Sequence, residues 1–212
     1  MFTKNVKVDL RDYKGRTPLS WAAGEGHKAV VELLLVNKVK ADSRDNNGQT
    51  PLSWAAEEGS EAVVKLLLQN NVEADSRDNN GRTPLSWAAG SGRKSEAVVK
   101  LLLQNNVEAD SRDNNGRTPL SWAAAAWKSE AVVKLLLQNN VEADSRYNNG
   151  WAPLSWAAEK GSEAIVKLLL QNNVEADSRD NNGRTPLSWA AATWRGKAVV
   201  KLLESCSLPM DN

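Results

Sequence analysis

The segment Pro-Leu-Ser-Trp-Ala-Ala occurs six times in this chain, with its prolines at Pro18, Pro51, Pro84, Pro119, Pro153 and Pro186. Their successive separations of 33, 33, 35, 34 and 33 residues leave little freedom in the choice of fold. A unit of about 33 residues cannot bury an apolar face by itself, so neighbouring units must stack and share a continuous core. A second block, Ala-Val-Val-Lys-Leu-Leu-Leu in its fullest form, follows the first, as at Ala62–Leu68 and Ala97–Leu103. A third, Asp-Ser-Arg-Asp-Asn-Asn-Gly, links one unit to the next.

Local chemistry predicts two helices per unit. Thr50-Pro51 opens the first: threonine can cap the free N–H groups, and proline at the first helical position loses no hydrogen bond. Leu52, Ala55 and Ala56 then share one face, and the small alanines allow close approach. Gly59-Ser60 breaks this helix and starts the next, with Ser60 as its expected cap and Glu61 near its positive end. Val63, Val64, Leu66, Leu67 and Leu68 make the second helix apolar, while Glu61 and Lys65 stand four apart on its wet side. Asn71 should end it in the left-handed conformation. Asp78-Asn79-Asn80-Gly81 reads as a tight turn with aspartate first and glycine last, or as an Asn-Gly hairpin tip. The expected fold is therefore all-α, helix-turn-helix units joined by short β-turn or hairpin loops. The units run over residues 12–44, 45–77, 78–112, 113–146, 147–179 and 180–206, followed by a tail at 207–212. Length varies only at the junction between the two helices of a unit. Arg93 and Lys94 look inserted in the third, and an extra residue falls near Trp127 and near Trp194, where a stack can bulge without disturbing its core.

These residues resemble the ankyrin repeat, with its glycine-ended turn, Thr-Pro-Leu-His, paired alanines, Gly-His turn and Val-Val-x-Leu-Leu-Leu helix. The resemblance covers nearly the whole chain and implies a solenoid that holds a protein or peptide partner on its concave surface. The Thr-Pro-Leu-Ser-Trp-Ala-Ala variant is most similar to arrays of filamentous fungi, which implies the sensing region of a larger receptor. Serine (Ser20, Ser53, Ser86, Ser121, Ser155, Ser188) replaces the family's histidine throughout, and asparagine replaces the glycine after the second helix. The family's usual histidine hydrogen bonds between repeats are therefore not implied by the resemblance here. Residues 2–11 align with 68–77, so residues 1–11 read as the tail of a preceding repeat and the chain as a fragment or trimmed gene product. Neither end carries a polar capping repeat, which predicts fraying or self-association there.

Catalysis has little support. His27, the single histidine, lies at the structural Gly-His turn, and Cys206 has neither a second histidine nor a Cys-x-x-Cys partner. No phosphate-binding loop, nucleophile elbow or zincin motif is present, and no cofactor is expected. Carboxylates such as Asp75 and Asp78 recur beside Arg77 in unit after unit, which favours a turn-stabilising role over an acid–base pair. With 27 basic and 26 acidic residues, the formal charge of +1 gives no field for nucleic acid or anionic lipid. No apolar run approaches the roughly 18 to 20 residues of a membrane span. One cysteine, no glycosylation sequon and no cleavable leader suit an intracellular, cytoplasmic protein.

The candidate binding residues fall in ladders. Arg11, Arg44, Arg77, Arg112, Arg146 and Arg179 precede the turns, and Arg16, Arg82, Arg117 and Arg184 follow them, interleaved with Asp12, Asp45, Asp78, Asp113 and Asp180. They read as compensating surface charges or as a groove for an acidic peptide. Trp21, Trp54, Trp87, Trp122, Trp156 and Trp189 occupy one position of the first helix, where packing between neighbours is expected. Three tryptophans break that pattern. Trp127 and Trp194 lie at the variable junction, and Trp151 replaces the arginine after the fifth turn. There Tyr147 also replaces aspartate and Ala152 replaces the capping threonine. The loss of a cap beside two new aromatics predicts a partner-contacting hot spot around Trp127, Tyr147 and Trp151, with Trp194, Arg82, Arg117 and Arg184 completing the surface. The leading reading is a protein-binding module; the alternative is a structural or designed scaffold, against which the irregular insertions and unrepaired fifth turn argue.

Overall fold

The computed structural model describes residues 9–92 and 95–207. The insertion at Arg93 and Lys94, most of the N-terminal tail and residues 208–212 lie outside the described residues. Among those described there are twelve α-helices and no strand. The first helix of each unit is short: α1 (Pro18–Gly24), α3 (Pro51–Glu57), α5 (Pro84–Gly90), α7 (Pro119–Ala125), α9 (Pro153–Glu159) and α11 (Pro186–Ala191). The second helices are α2 (Lys28–Val36), α4 (Glu61–Gln69), α6 (Glu96–Gln104), α8 (Glu130–Gln138), α10 (Glu163–Leu170) and α12 (Lys197–Ser207). The short and long helices alternate along the chain, and α12 runs one residue into the segment expected to be a tail.

The contacts of the chain divide into two compact units, Met1–Glu108 and Ala109–Asn212. In the first, α1 packs on α3 and α3 on α5, while α2 packs on α4 and α4 on α6. In the second, α7, α9 and α11 form one layer and α8, α10 and α12 the other. Both cores use the same side chains in successive copies: Leu52, Ala55, Ala56, Val63, Val64 and Leu67 are at most 1% exposed, as are Leu154, Ala157, Ala158, Ile165, Val166 and Leu169. A buried leucine or isoleucine contributes about 1.5–3 kcal/mol. Alanine at the contact between short helices keeps them close enough for these side chains to interlock.

The caps follow the sequence at one end of each pair and depart from it at the other. Thr17, Thr50, Thr83, Thr118 and Thr185 each accept a hydrogen bond from the backbone N–H of the serine three residues on, with proline at the first turn. The expected cap at Ser60 is absent, and no serine before the described second helices caps through its side chain. Ser95 instead donates to the Gly92 carbonyl within the junction, and Ser129 to that of Ala123 in the first helix of its unit. Asn71, Asn106, Asn140 and Asn173 are left-handed, with φ between 55° and 58°, as predicted at the helix ends. The amide of Asn70 closes the last turn by donating to Leu66 O at 2.8 Å, and Asn105, Asn139 and Asn172 repeat this bond.

Serine takes over the polar core where the family has histidine. Thr50 Oγ1 lies 3.1 Å from Ser53 Oγ and 3.2 Å from Ser76 Oγ, all buried. Thr118 makes the equivalent pair with Ser121 and Ser145. Adjacent turn tips are also stitched together: Asn79 N donates to Asn47 O at 2.9 Å and Asn79 Nδ2 to Asn46 O at 2.9 Å. At Gly48 a Cβ would fall 2.6 Å from Asn79 Oδ1 and 2.8 Å from Asn79 N, so glycine is required both by its φ of +78° and by the next tip.

Ala152 alone among the first-helix caps makes no side-chain bond, yet its φ of −95° and ψ of 166° match those of the capping threonines. Ala152→Thr should therefore restore the cap without moving the backbone and stabilise the chain by about 1 kcal/mol. An unchanged or lowered urea midpoint would contradict this reading.

Candidate functional site

The turn aspartate organises the surface on which binding was expected. In Asp78, Oδ1 accepts the backbone N–H of Asn80 at 2.8 Å and of Arg82 at 2.9 Å, fixing the turn. Its Oδ2 accepts the indole N–H of Trp87 at 3.1 Å. Asp45 bonds Trp54 and Asp113 bonds Trp122 in the same way, both at 3.2 Å, and Asp12 bonds Trp21 at 3.0 Å. At Asp12, desolvation opposes ionisation, but the donors of Arg16, Trp21 and Lys14 outweigh it and hold the carboxyl below its ordinary value. These aspartates are structural, as their recurrence suggested.

Where an arginine follows the turn, its guanidinium lies over the tryptophans so positioned. The Arg16 guanidinium is 4.6 Å from the Trp21 ring and 3.8 Å from the Trp54 ring, bridging two repeats. Arg117 bridges Trp122 at 4.6 Å and Trp156 at 4.5 Å, with Tyr147 at 4.8 Å. Arg82 stacks on Trp87 and Arg184 on Trp189. Each such contact contributes about 0.5–2 kcal/mol, according to how far water is excluded. Gln49 holds the corresponding position in the second repeat and is buried, and beside it burial pushes the Glu57 carboxyl above its ordinary value.

The outer arginine ladder is likewise occupied. Arg44, Arg77, Arg112 and Arg146 reach Glu73, Glu108, Glu142 and Glu175 of the next repeat at 3.4, 3.2, 2.9 and 2.7 Å. These pairs are about half exposed and contribute at most about 1 kcal/mol each. Their second role is geometric: Arg44 Nη1 also donates to the Arg77 carbonyl, and Arg112 Nη1 to that of Arg146 at 2.9 Å.

Trp151 occupies the arginine position of the fifth repeat and does an arginine's work. Its ring lies 4.4 Å from that of Trp156 and 4.3 Å from that of Trp189, inclined at 52° and 51°. Only 9% of the residue is exposed. The partner contact expected at Trp151 therefore meets a buried side chain, because a flat indole fills the slot a flat guanidinium fills elsewhere. Tyr147 is half-buried with its ring 6.4 Å from Trp156. Having no carboxylate, it leaves Trp156 Nε1 buried without a partner. Trp127 is not joined to this pair by any ring contact among the described residues.

Trp127 belongs to a different cluster. It is 66% exposed and Trp194 is 84% exposed, at the α7–α8 and α11–α12 junctions. Between them lies Arg195, unremarked in the sequence, with its guanidinium 5.1 Å from the Trp127 ring and 4.5 Å from the Trp194 ring. Trp127, Lys128, Glu130, Lys160, Glu163 and Arg195 border an open groove of about 440 Å³. Trp21, Trp54, Trp87 and Trp122 are bonded to carboxylates; Trp127 and Trp194 make no such bond among the described residues and present most of their area to solvent. Of the other sequence candidates, His27 is exposed and caps nothing, and Cys206 is exposed. No metal-holding cluster occurs among the described residues, and no described helix is long and apolar enough to cross a membrane.

If Trp151 replaces a guanidinium, its substitutions should separate by shape. Trp151→Ala should lower stability by about 3–5 kcal/mol by opening the slot. Trp151→Arg, which can stack there, should cost far less. Equal losses for the two in urea unfolding would contradict the assignment.

A family model described as ankyrin repeats (3 copies) matches residues 1–78, 63–147 and 124–209. Among solved structures, the crystal structure of the ankyrin repeat domain of Bcl-3, "a unique member of the IkappaB protein family", is 26% identical with a TM-score of 0.75. That match covers 93% of this chain and 86% of the other. No curated protein matches the sequence. With three family matches spanning nearly its whole length and the expected all-helical repeat fold, the chain belongs to the ankyrin repeat family.

Proposed function

We propose that this chain is an intracellular protein-interaction module whose partner anchors on Trp127 and Trp194 around Arg195. The family supplies the general role, since ankyrin repeats are protein-interaction modules. The observation that carries the choice of surface is the exposure of these two indoles, 66% and 84%, beside a third flat group. Tryptophan and arginine are the residues most often found to dominate interface energetics, because they bring large contact area at little conformational cost. Arg117 and Arg184 of the same compact unit extend the partner surface in this reading, with their guanidinium faces engaged in stacks. Tyr147 lies 4.8 Å from the Arg117 guanidinium, and Trp151 packs between Trp156 and Trp189.

Backbone strain favours the same place. Lys128 is left-handed with φ 53°, at a junction where Gly26, Gly59 and Gly161 adopt that region in other repeats. A non-glycine residue there costs about 1–2 kcal/mol. Such strain, placed next to an exposed tryptophan, is the pattern of a site kept for contact rather than for stability. Within this reading the chain serves as the sensing region of a larger fungal receptor, a role that rests on the Thr-Pro-Leu-Ser-Trp-Ala-Ala resemblance.

The test is a capture experiment from the cells that express the chain, comparing it with a Trp127→Ala/Trp194→Ala variant and quantifying bound proteins by mass spectrometry. The proposal predicts a specific protein whose recovery falls by about 30-fold or more in the variant. Equal recovery would move the binding surface elsewhere. No specific protein on either form would favour the scaffold reading.

A further inference from the structure

The groove bordered by Trp127 and Arg195 also has a charge character that bears on its occupant. Five charged side chains border it, Lys128, Glu130, Lys160, Glu163 and Arg195, and two of them are already answered by residues outside the five. Lys160 pairs with Glu159 at 2.9 Å, and Glu163 pairs with Lys167 at 2.5 Å. Arg195 and Lys128 make no ion pair among the described residues. Both face indoles instead: Arg195 touches Trp127 and Trp194, and Lys128 Nζ is 5.8 Å from the Trp127 ring. An indole face attracts the cation but leaves its N–H donors free for an acceptor.

The backbone holds this pair in place. A Cβ on Gly161 would come within 2.7 Å of Arg195 Cβ and 2.9 Å of its carbonyl oxygen, so the Arg195 loop rests directly on the preceding repeat's glycine. On the other side Lys128 is fixed by its left-handed conformation, immediately before the buried Ser129. Two cations without ion pairs and two exposed rings are therefore presented side by side.

Resting on the protein-interaction reading above, we propose that the occupant is an acidic peptide segment of the partner. One or more of its carboxylates bond to Arg195 and Lys128, and an apolar side chain between them lies on Trp194. Arginine suits this role because its planar fork can accept a carboxylate while a ring stacks on its face. A bilayer surface fits less well, since two cations without ion pairs fall short of the roughly four to eight clustered basic residues that bind anionic headgroups.

Random twelve-residue peptides displayed on phage would be selected against the full chain, and the recovered consensus synthesised. Its affinity would then be measured for the parent, Trp127→Ala/Trp194→Ala, Arg195→Glu/Lys128→Glu and Lys128→Gly chains. Phosphatidylserine vesicles would be tested in parallel, and thermal melts would verify that each variant is folded. The proposal predicts an acidic consensus with an apolar residue, weakened about 30-fold or more by either double substitution. Lys128→Gly, which relieves strain and must fold at least as well, should weaken it about threefold. A consensus that depends on the tryptophans but is neutral or basic, or is unmoved by charge reversal, would overturn the acidic occupant while leaving the surface standing. Peptides indifferent to the tryptophans would overturn both. No enriched peptide, or binding to vesicles alone, would overturn the acidic segment.

Discussion

The carboxylate of the turn aspartate is the part on which the rest of the surface depends. One oxygen closes the turn through two backbone N–H groups, and the other fixes the indole nine residues on. A fixed indole gives the arginine after the turn a face to lie on, and that guanidinium in turn meets the tryptophan of the next repeat. Turn, first helix and repeat interface are thus parts of one arrangement, repeated at the 33-residue spacing. The apolar core supplies most of the stabilisation, but it is non-directional. The aspartate, indole and guanidinium supply direction, because each has a geometry that only one register of stacking satisfies.

The fifth repeat shows what the arrangement tolerates. It has lost the carboxylate at Tyr147, the guanidinium at Trp151 and the cap at Ala152, and its turn is still closed by Gly150 N donating to Tyr147 O at 2.8 Å. The interface survives because Trp151 restores a flat group between Trp156 and Trp189. The cost falls on a polar atom: Trp156 Nε1 is left without an acceptor. A planar ring can replace the packing of an arginine, but it cannot replace the hydrogen bonding of an aspartate.

Most of the fold was legible in the sequence because its signals are local and repeated. Proline after threonine, asparagine after the second helix and glycine at the end of the turn each predicted the conformation observed. Ser60 misled because a serine after a helix break has two possible bonds, and in the equivalent Ser95 and Ser129 the hydroxyl prefers the carbonyls it faces to the N–H groups ahead of it. The aspartate–tryptophan bond could have been found: the two recur nine residues apart in every repeat but the fifth. The column holding Arg16, Gln49, Arg82, Arg117, Trp151 and Arg184 likewise contains only side chains that end in a planar group. Read as a column it suggests stacking; read as a lone anomaly, Trp151 suggested a binding hot spot. Arg195 was not legible. It lies in a junction whose length varies, outside the repeat register, and its neighbour Trp127 comes from two repeats earlier.

The central claim is that the tryptophans fall into two groups, those locked into the repeat interfaces and those left free for a partner. Hydrogen exchange of the nine indole N–H groups, followed by ¹⁵N–¹H NMR with assignment by single substitution, tests it directly. The account predicts slow exchange at Trp54, Trp87 and Trp122, whose N–H groups are bonded to buried aspartates, and complete exchange within the dead time at Trp127 and Trp194. Protection at Trp127 and Trp194 equal to that of the ladder tryptophans, or none at any position, would contradict it.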